Sequence, residues 1–419
     1  MKIKKTCKPY KEVMALKRPE HKLPRRPGRI MSKICNLVGA KDLKDTAFTY
    51  EEVNMERAGD GPWLILMNHS SFIDLMIASK ILYPRRYNIV CTSDGLVGKE
   101  TLMRMIGCIP TQKFVTDISL ISDMNHALNV NKTSILLYPE ASYSFDGTAT
   151  PLPRRMGVIF KKFKVPVVMI TTYGAFTRDP LYNNLRKRNV HVSAKIECLL
   201  TPEEIAEKKT EEIDGILDKA FDFDYFKWQE ENNVRVRETF RAEGLNRILY
   251  KCPDCMAEGK TEGSGISFRC NACGKEYEMD ELGRMHALDG NTKFSHIPDW
   301  YRWEREEVKK EISEGTYLLE SDVDIGMIVD FKSLYMVGSG HLKHTPEGFV
   351  LDGCDGELHY EQGPRTCYSL YSDYFWYEIG DIICIGGKDC LYYCFTKEKD
   401  IVAKARIATE EIYKLNSKK

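Results

Sequence analysis

Short apolar runs alternate with helical patterns between residues 49 and 202, and that rhythm predicts a layered α/β domain with a largely parallel sheet. Two C-x-x-C knuckles behind it predict a zinc ribbon. A stretch at 316–399, rich in Tyr, Ile, Val and Gly and broken by turn signals, predicts a small β-barrel or sandwich. Ile401, Ala405, Ala408, Ile412 and Leu415 form one apolar stripe behind it, so a C-terminal helix closes the chain.

A chain of 419 residues is too long for one ordinary core. The expected division is a basic arm with an amphipathic helix at 1–44, the α/β domain at 45–200, a helical connector at 201–250, the ribbon at 251–280 and the β-rich domain at 281–419. No internal repeat is visible.

In the α/β region the runs 63–67, 87–91, 134–138, 165–170 and 190–196 read as buried strands, with functional residues expected in loops at their ends. Thr201-Pro202-Glu203-Glu204 and Thr210-Glu211-Glu212 read as helix starts, with Thr caps and acidic first turns. The tail resembles a pleckstrin-homology-like domain in its strands and closing helix. Its aromatic runs, 296–303 and 373–377, read as core.

Charge is balanced overall, 61 basic against 61 acidic residues, but not locally. Residues 1–33 hold twelve Lys/Arg and two Asp/Glu, so a basic arm precedes a mildly acidic body. Pro9, Pro19, Pro24 and Pro27 make that arm a partly extended lead-in. Ile30, Ile34, Leu37 and Val38 then recur at helical spacing among lysines. Such a helix suits either its own domain or an anionic lipid surface.

No run approaches the roughly 18 apolar residues of a membrane span. The N-terminal region lacks the apolar segment and cleavage site of a signal peptide, so a cytoplasmic location at the inner face of the cell membrane is expected. Four of the fourteen cysteines stand at metal spacing, and the other ten read as ordinary buried thiols.

The segment Asn68-His69-Ser70-Ser71-Phe72-Ile73-Asp74 directly follows the first buried run. Positions five apart point about 140° away from each other on a helix, so His69 meets Asp74 only from a turn before the helix. Ser70 or Ser71 would cap that helix, and Asp74 would hold one ring nitrogen and leave the other as a base. A histidine so held can take a proton from an acceptor hydroxyl, which makes the acceptor itself the nucleophile. Ser71-x-x-Asp74 also fits a plain capping box.

Residues 69–170 resemble the glycerolipid acyltransferase family, whose members carry an H-x-x-x-x-D signature. Three further blocks of that family are matched by Gly107-Cys108-Ile109-Pro110-Thr111-Gln112-Lys113, by Tyr138-Pro139-Glu140-Ala141-Ser142-Tyr143-Ser144 and by Val165-Pro166-Val167. The whole chain is similar to multi-domain bacterial members of the family. The resemblance implies that His69 is the base and Asp74 its partner, and that Lys113, Glu140 and Ser142 bind the acceptor's glycerol-phosphate end.

It implies a fatty acyl group delivered as a thioester of coenzyme A or acyl carrier protein, and a lysophospholipid acceptor, 1-acylglycerol-3-phosphate above all. Two positions depart from the third block: Ala141 replaces a glycine and Tyr143 an arginine, and a phenol is no phosphate fork. Arg154 and Arg155 stand near the family's usual basic pair and could compensate.

Cys252-Pro253-Asp254-Cys255 and Cys270-Asn271-Ala272-Cys273 supply four thiolates for a closed, structural zinc site. The ribbon sets Asp254, Glu258, Glu262, Glu276 and Glu278 against only Lys251, Lys260, Arg269 and Lys275, so no nucleic-acid partner is expected. Two functions remain open: an acyltransferase of phospholipid synthesis working peripherally at a membrane, or a lipid-surface adaptor with a degenerate catalytic fold. Intact His69, Asp74 and Glu140 favour the first, Tyr143 the second.

Overall fold

The computed structural model describes residues 2–115 and 117–417; Met1, Thr116, Lys418 and Lys419, which fall within the expected arm, α/β and closing segments, lie outside the described residues. The α/β layer is a seven-stranded sheet with the spatial order Thr49–Val53, Ser193–Leu200, Val167–Tyr173, Leu64–Met67, Ser134–Leu137, Tyr87–Thr92, Cys108–Thr111. Neighbouring strands are parallel except for Val167–Tyr173 against Ser193–Leu200.

Leu64–Met67 lies centrally and is buried throughout. Leu64 and Leu66 face one core with Phe160 and Phe163 of helix Met156–Phe163. Ile65 and Met67 face the other with Ile77 and Leu82 of helix Asp74–Leu82. Coverage of both faces is what makes such a strand read as an unbroken apolar run.

The edges differ from the sequence expectation, and the differences have backbone causes. The strand expected at 165–170 begins only at Val167, because Pro166 has no N–H for the ladder, although its carbonyl still accepts from Leu64 N at 3.0 Å. Cys108–Thr111, absent from the expected strands, stands at the sheet edge, where the donor missing at Pro110 is tolerated.

The basic arm is a strap rather than a loose lead-in. Lys5–Cys7 pairs in parallel with Leu334, Tyr335 and Met336 of the tail sheet. Val13 is fully buried, and the carbonyls of Pro24 and Arg25 accept from Asn131 and Asn88 of the α/β layer. Helix Arg29–Val38 buries no residue, leaving Ile30 and Val38 77 % and 73 % exposed.

The expected helical connector is helical only as far as Tyr225–Glu231, after Pro202–Glu207 and Thr210–Ala220. Beyond it the chain runs irregularly into the ribbon, with Leu245, Ile248 and Leu249 fully buried. The ribbon is a four-stranded antiparallel sheet reaching Ala287, past the expected end at 280. The aromatic run at 296–303 opens a helix, Ile297–Ser313, whose Trp300 packs on Phe268 and Tyr277 of the ribbon at 5.4 and 5.3 Å.

The tail's seven strands, counted from Leu319–Met327, lie in the order four, three, two, one, seven, six, five, and the closing helix Val402–Ser417 follows. The closing helix is buried all round from Val402 to Ile412, polar residues included, instead of along one stripe. It packs against helix Ile297–Ser313 as well as the tail sheet, so no side of its first three turns meets water.

The four cysteine sulfurs of the ribbon lie within 4.8 Å of one another, with Cys252 to Cys273 at 3.8 Å and Cys255 to Cys270 at 3.7 Å. A tetrahedral ion with Zn–S bonds of about 2.3 Å sets its sulfurs about 3.8 Å apart, so these residues fit zinc and leave no ligand position for water. Purified protein should therefore carry one equivalent of zinc by elemental analysis. Replacing Cys252 and Cys255 by Ser should release the metal and lower the melting temperature of the whole chain, because Trp300 ties ribbon to tail. An unchanged melting curve in a zinc-free variant would refute the structural role.

Candidate functional site

The loop that leaves strand Leu64–Met67 carries His69, and Asp74 opens the next helix. Neither Ser70 nor Ser71 caps that helix: Ile73 holds the cap position without a side-chain bond. The carboxylate of Asp74 instead reaches backwards. Its Oδ2 accepts from the amides of Ser70 at 2.7 Å and Ser71 at 3.0 Å, and from Nδ1 of His69 at 3.1 Å.

An oxygen already accepting two N–H groups is satisfied by a third donor, so Nδ1 carries the proton and Nε2 is left with its lone pair. Burial holds the His69 imidazole below its ordinary value, opposed by the hydrogen bond and charge of Asp74 and reinforced by the charge of Lys113. The ring is therefore neutral at neutral pH, the state a base requires.

The third block grips the same histidine from the other side. Glu140, fully buried, accepts the His69 amide on Oε2 at 2.9 Å, and the amide and hydroxyl of Thr150 on Oε1, both at 3.0 Å. Burial pushes its carboxyl up to about 7 against those three donors. Ser144 N donates to the His69 carbonyl at 3.1 Å. Ala141 sits at φ 54°, the left-handed conformation that explains a glycine in the family's block and costs an alanine roughly 1 kcal/mol. The imidazole lies between Tyr138 and Tyr143, ring centroids 4.1 and 4.2 Å away, so Tyr143 packs against the His69 ring.

Behind the turn, Asn68 accepts the Thr172 amide at 2.9 Å, and its Nδ2 and the Ser70 hydroxyl both meet the hydroxyl of Tyr225. Tyr225 belongs to the connector and carried no sequence signal. Lys113, from the second block, lies with Nζ 4.4 Å from the ring centre of Tyr371. Asp373 on the same tail strand, Tyr371–Trp376, is pushed up to about 6 by burial, with the charge of Lys113 opposing. The β-rich domain thus reaches the second block, which nothing in the sequence announced.

The other expected residues are placed differently. Ser142 is buried; its hydroxyl donates to the Tyr143 carbonyl and accepts from Arg406 Nη1, each at 3.2 Å. Glu140 spends its oxygens on the turn and is not free for an acceptor. Arg154 is exposed and donates from Nη1 to both carboxylate oxygens of Asp218 at 2.8 and 2.7 Å, while Arg155 is exposed with its amide on Asp214. The structure brings together His69, Asp74, Glu140 and Lys113 and leaves Arg154 and Arg155 on the flank of helix Thr210–Ala220. The arginine pair does not replace the missing phosphate fork at the histidine.

Over 45 % of its length the chain is similar to the crystal structure of the 1-acyl-sn-glycerophosphate (LPA) acyltransferase PlsC from Thermotoga maritima, covering 78 % of that chain at 14 % identity with a TM-score of 0.34. Residues 48–172 match the family model described as Acyltransferase. That span contains His69, Asp74, Lys113 and the whole third block.

Proposed function

We propose that this chain transfers a fatty acyl group from a thioester of coenzyme A or acyl carrier protein to the hydroxyl of a lysophospholipid, with 1-acylglycerol-3-phosphate as acceptor and phosphatidic acid as product. The observation that carries the reading is the 3.1 Å contact between Asp74 Oδ2 and His69 Nδ1, made inside an acyltransferase-family domain. Nε2 takes the proton of the acceptor hydroxyl as its oxygen attacks the thioester carbonyl carbon. The C–S bond then breaks, and the leaving thiolate takes the proton from the imidazolium. Asp74 stays an acceptor throughout and stabilises the transient cation.

Lys113, whose charge acts on His69, is the cation assigned to the acceptor's phosphate, while the Ser142 hydroxyl is taken up by Tyr143 and Arg406. Glu140 acts by fixing the His69 backbone. A lipid substrate also calls for a lipid surface. Ile30, Ile34, Leu37 and Val38 are exposed on the arm's helix, and Phe72 and Leu75 are exposed beside the dyad. The arm and the dyad's helix pack closely here, since a Cβ on Gly39 would fall 2.7 Å from that of Met76.

Arg26, Arg29 and Arg86 lie within electrostatic range of one another, and each such residue adds about 1 kcal/mol of attraction to an anionic leaflet. Among the described residues no helix is long and apolar enough to cross a membrane. These features support peripheral binding at the cytoplasmic face of the cell membrane.

Three outcomes are expected. His69→Ala should lower transfer, followed as product lipid by mass spectrometry with a panel of lysolipids and both thioester donors, by at least about 100-fold. A wild-type chain inactive with every pair would leave the adaptor reading. In a ring-nitrogen NMR titration His69 should titrate below 6.5, and Asp74→Asn should lower it further, because the lost hydrogen bond and charge are what hold it up. A rise in Asp74→Asn would contradict the pairing.

Ile30→Glu with Ile34→Glu should weaken sedimentation with anionic vesicles and leave the melting curve unchanged, since both side chains face solvent. Deleting the arm is no clean test, because Lys5–Cys7 and Val13 belong to the fold.

A further inference from the structure

A cavity of about 360 Å³ opens where the loop after Ser144 meets helix Ile297–Ser313 and the closing helix. Five cations line it, Arg154, Arg302, Arg305, Arg406 and Lys414, against the carboxylates of Asp146, Asp218 and Glu410. Most of these charges are already used. Arg154 pairs with Asp218, Arg302 with Asp299, Arg305 with Glu410 and Glu411, and Lys414 with Glu411. Asp299 and Glu411 lie outside the lining.

Arg406 pairs with Glu410 too, but incompletely. It is 3 % exposed, with its guanidinium carbon 4.3 Å from the centre of the Phe145 ring. Nη1 donates to Ser142 and Nε to Glu410 at 3.4 Å, but Nη2 is buried without a hydrogen-bond partner. A buried guanidinium N–H left unpaired is costly, and buried polar groups nearly always have partners. The planar fork of an arginine matches the oxygens of a phosphate, and Arg305 and Lys414 stand on the same wall to share its charge.

We propose that this cavity is a binding site for a phosphate monoester, built jointly by the acyltransferase-family domain and the closing helix. The volume falls in the range of small-molecule sites and leaves room for more than a bare phosphate. The site is separate from the dyad, whose His69 is not in the lining, yet it touches the dyad's support. Thr150 lines the cavity, and its amide and hydroxyl hold the Glu140 oxygen whose twin holds the His69 amide. A ligand here acts on the base through the backbone of the turn. The same phosphate chemistry occurs in a free anion, in the nucleotide end of a coenzyme A thioester and in a glycerophospholipid head.

Isothermal titration of the full-length protein with inorganic phosphate, adenosine 3′,5′-bisphosphate and glycerol 3-phosphate tests the assignment without reference to turnover. One equivalent of at least one probe should bind. Preference for the nucleotide assigns the donor, preference for glycerol 3-phosphate the lipid head, and equal binding the free anion. Arg406→Lys, which loses the fork, and the exposed pair Arg302→Glu with Lys414→Glu should each weaken binding by about tenfold or more. If Arg406→Lys fails to fold by its melting curve, the surface pair decides alone. No binding of any probe at millimolar concentration, or binding unchanged in the folded variants, overturns the site.

Discussion

One carboxylate organises the centre of this protein. Asp74 Oδ2 gathers the Ser70 and Ser71 amides and the His69 imidazole N–H, so the turn after the central strand is folded around a single oxygen. The two amides lie in the turn before the helix, where no helical carbonyl can meet them, and the aspartate that opens the helix supplies their acceptor. The same atom fixes the histidine tautomer. Loss of the carboxylate would strip partners from two buried amides as well as from the imidazole.

The rest of the site is a set of supports for that turn, each from a different part of the chain. Glu140 holds the His69 amide, Tyr138 and Tyr143 hold the ring faces, and Tyr225 holds Asn68 and Ser70 from beneath. Tyr143 illustrates the trade. An arginine there would offer an acceptor two N–H groups, whereas the phenol offers an apolar face that helps keep the imidazole neutral. Lys113, set against Tyr371 and Asp373, is itself positioned by the tail.

What the sequence disclosed follows from how local each feature is. His69 and Asp74 are five residues apart, the knuckle cysteines three apart, and the buried strands are short runs, so all are written in contiguous text. Pairings that close over long distances are not. Arg406 reaches Ser142 across 264 positions, and Asn68 reaches Tyr225 across 157. Nor does periodicity reveal a helix buried on every side. Val402–Ser417 keeps Glu410 and Glu411 inside by pairing both with Arg305, and Arg406 by pairing it with Glu410, so its apolar stripe shows only one of its buried faces. The serine cap failed for a related reason: sequence names the residue types able to cap but not which side chain arrives first.

That buried charge network also bears on why the chain is one body. Arg305, Arg406, Glu410 and Glu411 join helix Ile297–Ser313 to the closing helix, and Arg406 continues to Ser142 in the third acyltransferase block. Burying ions costs several kcal/mol each before their attraction is counted, so such a network adds little net stability over apolar packing. Its physical effect is orientation: the directional bonds are met only when both helices and the block adopt one relative position. The parallel pairing of Lys5–Cys7 with the tail sheet and the ring of Tyr371 over Lys113 impose the same constraint from two other directions. Ribbon and tail therefore help to set the α/β domain in one geometry around its histidine.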